Sequence, residues 1–183
     1  AADVLATAAE AHLMDGQLPQ AEALFTRAAR LNPNDARIRT ALALTQVAKG
    51  NATAGLADLE ALADQDTSTY ADMALISSLL LRGNSKGALK ALDRLEGKMP
   101  ASAMPHLLRG RIMLQHKDTV AARASFEAAL AVDANYYAAV VNLAALDLAD
   151  KNVATAIRRF EEQLQRDSKN YHALMAVAQL RQQ

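Results

Sequence analysis

The chain has no cysteine and no tryptophan, and only four prolines and seven glycines among 183 residues. Without thiols there are no disulfides, no thiol catalysis and no zinc–thiolate sites. The compartment stays open, because a packed helical protein needs no disulfide. Aromatic residues make up 4% of the chain, so small and aliphatic side chains must build most of the core. An excess of one charge is also missing. Twenty basic residues balance 20 acidic ones, which argues against a nucleic-acid binder with its basic face. No apolar run reaches the roughly 18 residues of a membrane span. The most apolar stretch, residues 71–81, is interrupted by Asp72, Ser77 and Ser78. Direct membrane insertion by this segment is therefore not expected.

What the chain does have is 51% hydrophobic residues against 22% charged. That balance supports a packed core rather than disorder. The apolar residues also repeat. Phe25, Leu59, Leu92, Phe126 and Phe160 follow one another at spacings of 34, 33, 34 and 34. Four residues before each stands a small one: Ala21, Gly55, Ala88, Ala122 and Ala156. A period near 34 marks a helical solenoid, in which each unit buries its apolar face against the next.

Each unit reads as two helices. In the first, Val4, Leu5, Ala8, Ala9, His12 and Leu13 recur at three- and four-residue steps, the pattern of an amphipathic helix. Gly16, Gly50 and Gly83 suit the left-handed residue just past a helix end. Lys117 and Lys151 take that slot in later units. The second helix spans about residues 19–30, with Pro19 in its first turn, where a missing N–H costs little. Asn32, Pro33, Asn34 and Asp35 then break the chain and cap the next helix. Pro105 falls in the first turn after a Ser102 cap. The expected units are residues 2–35, 36–68, 69–102, 103–136 and 137–170, with a final helix over 171–183. That makes eleven helices and no strands. The start reads as mid-helix and the end stops mid-pattern. The expectation is a piece of a longer array, with any targeting signal outside it.

These residues resemble the tetratricopeptide repeat. In the fourth unit the motif appears as His106, Arg109, Gly110, Met113, Ala122, Phe126, Ala129 and Ala134. In the first it appears as Leu5, Ala8, Ala9, His12, Ala21, Phe25, Ala28 and Pro33. Arg39 and Asp72 depart from it, standing where a large aromatic is typical. The resemblance implies an all-α, right-handed α-α superhelical solenoid of about five and a half units. Three stretches, residues 106–111, 121–130 and 141–152, further resemble the repeat lipoproteins of the PEP-CTERM/exosortase system. Those are envelope proteins associated with exopolysaccharide production and protein sorting. That narrower resemblance implies a periplasmic or cell-envelope location, with lipid anchoring through a segment absent here.

The family lines its inner groove with the first helix of each unit. Carried over, the candidate partner-binding residues are Leu44 and Val47, then Tyr70, Met73, Ser77 and Leu80. Met104, Leu107, Arg111 and Leu114 follow, then Val141, Asn142 and Leu148. The family's carboxylate clamp is missing: Ala6 with Glu10, and Thr40 with Leu44, cannot hold a peptide carboxylate. Asn142 and Arg111 alone do not rebuild it. A largely apolar groove for a helix or extended segment is what remains.

Other motifs dissolve on inspection. Gly83, Asn84, Ser85, Lys86 and Gly87 fit a nucleophile-elbow pattern, but that needs a strand before it. Asp64, Asp66 and Ser68 begin like a calcium loop, yet Thr69 and Leu75 replace its Gly and Glu. The four histidines have no metal-ligand spacing. Arg158, Arg159 and Arg166 interleave with Glu161 and Glu162 as a solvated helix face. The sequence therefore points to a non-catalytic protein- or peptide-binding scaffold without cofactor or metal. Two other readings stay open: a spacer within a longer array, with weak head-to-tail self-association through its cut ends, or an accessory subunit of an enzyme complex.

Overall fold

A computed structural model describes residues 1–65 and 67–182; Asp66, part of the calcium-like pattern, and Gln183 lie outside them. Among the described residues there are eleven helices and no strand. They are α1 (Ala2–Met14), α2 (Leu18–Leu31), α3 (Ala36–Ala48), α4 (Ala52–Gln65), α5 (Tyr70–Leu81) and α6 (Ser85–Lys98). Then follow α7 (Met104–Gln115), α8 (Thr119–Val132), α9 (Tyr137–Ala149), α10 (Val153–Arg166) and α11 (Tyr171–Leu180). The chain divides into two compact units, residues 1–98 with α1 to α6 and residues 99–183 with α7 to α11.

One turn chemistry recurs between the helices of each pair. Gly16, Gly50 and Gly83 have φ of 73°, 98° and 73°, and Lys117 and Lys151 both have φ of 60°. The next residue's N–H then reaches back five residues. Gln17 bonds to the His12 carbonyl, and Asn152 to the Asp147 carbonyl, each at 2.8 Å. This closes the helix end by satisfying carbonyls that have no partner within the helix. The two lysines accept a left-handed backbone that suits Gly better, as the spacing predicts. At the other ends, Asp35, Asn84, Asp118, Asn152 and Asn170 each accept a backbone N–H from three residues on. The Ser102 cap is displaced by one residue: Ala103 is the N-cap of α7, and Ser102 Oγ accepts from the Met104 N–H at 3.3 Å.

The repeated large residues are the core. Phe25, Leu59, Leu92, Phe126 and Phe160 are all buried, as are the small residues one turn before them. In the first unit Phe25 packs with Ala6, Ala9, Ala21, Ala28 and Ile38. In the second, Phe126 packs with Leu107, Ala122, Ala129 and Leu143, and Phe160 packs with Val140, Ala144, Ala156, Ala173 and Val177.

Two expectations are corrected. Val4 points to solvent, while Ala6 and Ala9 carry the buried face of α1. Two alanines three residues apart let α2 approach closely, and Val4 lies to the other side of that contact. The final helix ends at Leu180 rather than continuing, with Arg181 as its C-cap and its guanidinium turned to Glu161 of α10.

Close approach leaves no room at the small positions. A β-carbon added at Gly110 would lie 2.6 Å from Phe126 Cδ1. Gly-to-Ala in a helix ordinarily gains about 0.5–1 kcal/mol, but overpacking a filled core costs about 1–3 kcal/mol. The clash wins, because the ring has nowhere to go. Gly110→Ala is expected to lower unfolding free energy by about 1 kcal/mol in urea denaturation. Gly97→Ala, with open space around it, is expected to raise it by a few tenths.

Candidate partner-binding surface

The candidate residues divide between the two units. In the first, α3 and α5 pack on each other. Leu44 and Val47 are half-buried on α3. On α5, Tyr70, Met73, Ser77 and Leu80 fall at steps of three and four and share one helix face. Tyr70 is 60% exposed, Ser77 is exposed, and Met73 and Leu80 are half-buried. Two helices thus set a partly apolar surface side by side.

In the second unit the candidate set thins. Leu107 is 6% exposed and sits in the core with Phe126 and Leu143. It is a packing residue, not a groove residue. Thr40 and Ala6, at the same register in α3 and α1, are buried too. Leu114 packs partly against the Phe126 cluster, and Leu148 against the Phe160 cluster. The side-chain amide of Asn142 donates to the Ala138 carbonyl of its own helix at 2.7 Å. Met104 is half-buried, Arg111 is exposed, and Val141 is 40% exposed. Of the candidate residues in this unit, Arg111 and Val141 are left exposed and Met104 half-buried.

The sequence reading missed two buried carboxylates that position these helices. Asp72 of α5 is 0% exposed. It accepts from Arg94 Nε at 2.7 Å and from Lys98 Nζ at 2.6 Å, both on α6. Arg94 also reaches Asp64 of α4, and Lys98 donates to the Ala63 carbonyl at 2.6 Å near the end of α4. One buried acid thus ties α4, α5 and α6, and fixes the rotation of the helix that carries Tyr70 and Met73. In the second unit, Asp147 of α9 accepts from Arg123 of α8 and Arg159 of α10. Arg123 bonds Asp150 as well. Arg159 is therefore not part of a solvated charge face, although Arg158 does pair with Glu162 at 3.9 Å. The signal was available: each aspartate interrupts an apolar helix, and the following helix supplies cations.

The other motifs have structural roles. Gly83 turns the chain, Asn84 caps α6 by accepting from the Gly87 N–H at 2.9 Å, and Ser85 opens that helix. His12 pairs with Gln17, and His172 stacks near Tyr137 with ring centroids 6.1 Å apart. Among the described residues no group of three or more His, Asp or Glu is placed to hold a metal ion. No described helix is long and apolar enough to cross a membrane.

The profile of the tetratricopeptide repeat family matches residues 2–45. Three solved structures share the architecture across nearly all of the chain. A thermophilic tetratricopeptide-repeat protein of Thermus thermophilus is 24% identical, covers all of both chains and has a TM-score of 0.58. The fold is that of a tetratricopeptide-repeat array. A tetratricopeptide repeat protein from Parabacteroides merdae is 19% identical, with 98% of this chain and 72% of that one covered and a TM-score of 0.64. Pseudomonas aeruginosa pilF is 18% identical, with coverages of 98% and 82% and a TM-score of 0.65. No curated protein matches the sequence.

Within this array the Asp147 cluster is expected to contribute to stability in a pH-dependent way. Burial by itself would raise the carboxyl's pKa, but the hydrogen bonds and charges of Arg159 and Arg123 outweigh it and hold it below its ordinary 3.8. A carboxyl with a depressed folded pKa stabilises the fold fully above its unfolded value. That contribution is lost as the pH falls through the folded value. Asp147→Asn is expected to cost about 2 kcal/mol at neutral pH, less than the roughly 3–5 kcal/mol of a wholly buried pair, since both guanidiniums keep some water. The deficit relative to the parent chain should shrink below pH 4 in urea titrations. A pH-independent deficit would contradict the assignment.

Proposed function

We propose that this chain is a non-catalytic scaffold that holds a protein or peptide on the first helices of its repeats. The observation that carries the reading is the partly uncovered apolar surface of α5, Tyr70 with Met73 and Leu80, beside Leu44 and Val47 of α3. Large apolar groups left at a surface are where partners bind. A methionine among them adapts to partners of varied shape. Val141 and Met104, with Arg111, offer the second unit's contribution. The setting we propose is a bacterial cell envelope, in exopolysaccharide production and PEP-CTERM protein sorting. Its support is the resemblance carried by residues 106–111, 121–130 and 141–152.

The test is a crosslinking pull-down from the envelope of an exosortase-bearing bacterium. The bait is this chain or its Met73→Asp/Val141→Asp variant. Leu107 is left alone, because a charge there would enter the core. A partner retained by the parent and lost from the equally helical variant is the expected result. Identical capture lists would remove the binding surface.

A spacer role is the second reading. It is favoured by α11, where Tyr171, Leu174 and Met175 are all exposed. In that case sedimentation velocity should show reversible association as the concentration rises, weakened by Leu174→Glu/Met175→Glu. A concentration-independent monomer would count against it.

A further inference from the structure

The first unit has a second surface with binding character, on the side of α5 that faces α4 and α6. Both of those helices pack on α5, and between them lies a cleft of about 380 Å³. Its floor is Leu75 and Leu79 of α5. Leu56 and Ala57 of α4 form one wall, and Gly87 and Ala91 of α6 form the other. Small residues on both walls keep the trough open. Its volume falls in the range of sites that enclose a small ligand or an anchoring side chain.

Charge runs along one edge in a fixed register. Arg94 of α6 pairs with Asp64 of α4 at 2.6 Å, and Lys90 pairs with Glu60 at 3.5 Å. Both pairs are 30 residues apart and cross the trough. One turn earlier on α6 the same row places Lys86, and the same offset on α4 falls on Leu56. Lys86 is exposed, and among the described residues no carboxylate pairs with it. Lys90, Arg94 and Lys98 of this row are thus answered by Glu60, Asp64 and Asp72, and Lys86 has no such partner. The Lys90–Glu60 pair is itself weak, because the lysine side chain is 81% exposed, and such pairs contribute little. Lys86 is not one of the residues that line the cleft; it flanks Asn84 and Gly87, which do, one turn from Lys90. The first turn of α6, with the helix's positive end, lies at the same place.

We propose that this cleft docks a short acidic amphipathic peptide. An apolar side chain of the peptide would rest on Leu56, Leu75 and Leu79, and a neighbouring Asp or Glu carboxylate would meet Lys86 and Lys90. The inference rests on the scaffold reading and adds to it a second face and a ligand chemistry. The cleft lies between second helices, apart from the Tyr70–Met73 surface of α5.

The test uses the whole chain and the acetylated, amidated peptide Glu-Leu-Leu-Asp-Glu-Leu-Leu-Asp-Glu, followed by fluorescence anisotropy and by methyl NMR of Leu56, Leu75 and Leu79. The control peptide carries Gln and Asn at the acidic positions. Ala57→Trp fills the exposed mouth, and Lys86→Glu/Lys90→Glu reverses the edge. Thermal melts should show both variants folded. Saturable shifts at the three leucines are expected, abolished by Ala57→Trp. Exposed ion pairs of this kind contribute about threefold each, so two carboxylate–lysine contacts should make the neutral peptide weaker by about tenfold. Equal binding of both peptides, or no binding of either, would overturn the proposal. Binding kept by Ala57→Trp but lost in Met73→Asp would also overturn it, while leaving the scaffold reading intact. An empty envelope pull-down would sink the scaffold reading separately.

Discussion

Every helix pair in this chain meets where one side chain is nearly absent and another is large. Ala21, Gly55, Ala88, Ala122 and Ala156 bring the second helix close to the first, and the residue one turn later fills the space between them. At Gly55 an added β-carbon would lie 2.6 Å from the Ala43 carbonyl oxygen. Backbones that close exclude water and let a single Phe or Leu contact two helices. Burial of that one side chain contributes about 1.5–3 kcal/mol, repeated in each unit. The left-handed turns at Gly16, Gly50, Gly83, Lys117 and Lys151 follow from this: the chain must reverse tightly to keep the small residue opposite its partner helix.

Apolar packing alone leaves some freedom for a helix to rotate about its axis. Asp72 and Asp147 reduce it. Each buries a charge, which is expensive unless answered, and each is answered by two cations from packed neighbours. The answer requires a particular face of α5 or α9 to point at a particular helix. Stability gained this way is modest compared with apolar burial, since desolvation offsets much of the attraction. Orientation is the larger effect, and it has a functional consequence. Asp72 precedes Met73 in the chain, so the contact that turns Asp72 inward turns Met73 and Tyr70 outward.

The same helices therefore have two kinds of surface left over. The faces of α3 and α5 that bear Leu44, Val47, Tyr70 and Met73 are partly apolar and carry little charge. The trough between α4 and α6 is apolar at its floor and bridged by Lys90–Glu60 and Arg94–Asp64 ion pairs. On the scaffold reading we propose, these two surfaces would hold two segments of one partner, or two partners.

The sequence by itself determined the helices, their pairing and the core. Phe25, Leu59, Leu92, Phe126 and Phe160 declare a period, and local turn chemistry at Gly and Asn marks the ends, so both are readable along one dimension. Spacing also grouped Tyr70, Met73, Ser77 and Leu80 on one side of α5, because residues three and four apart share a face whatever the surroundings. Tertiary structure decided the rest. Leu107 and Thr40 hold the same register as Met73, yet both are buried, because coverage depends on which neighbour packs there. Asp72 looked like a flaw in the motif until α6 brought Arg94 and Lys98 to it from 22 and 26 residues away. The cleft over Leu75 and Leu79 is a property of three helices at once. Local spacing records which residues share a face of one helix, but only packing records what that face meets.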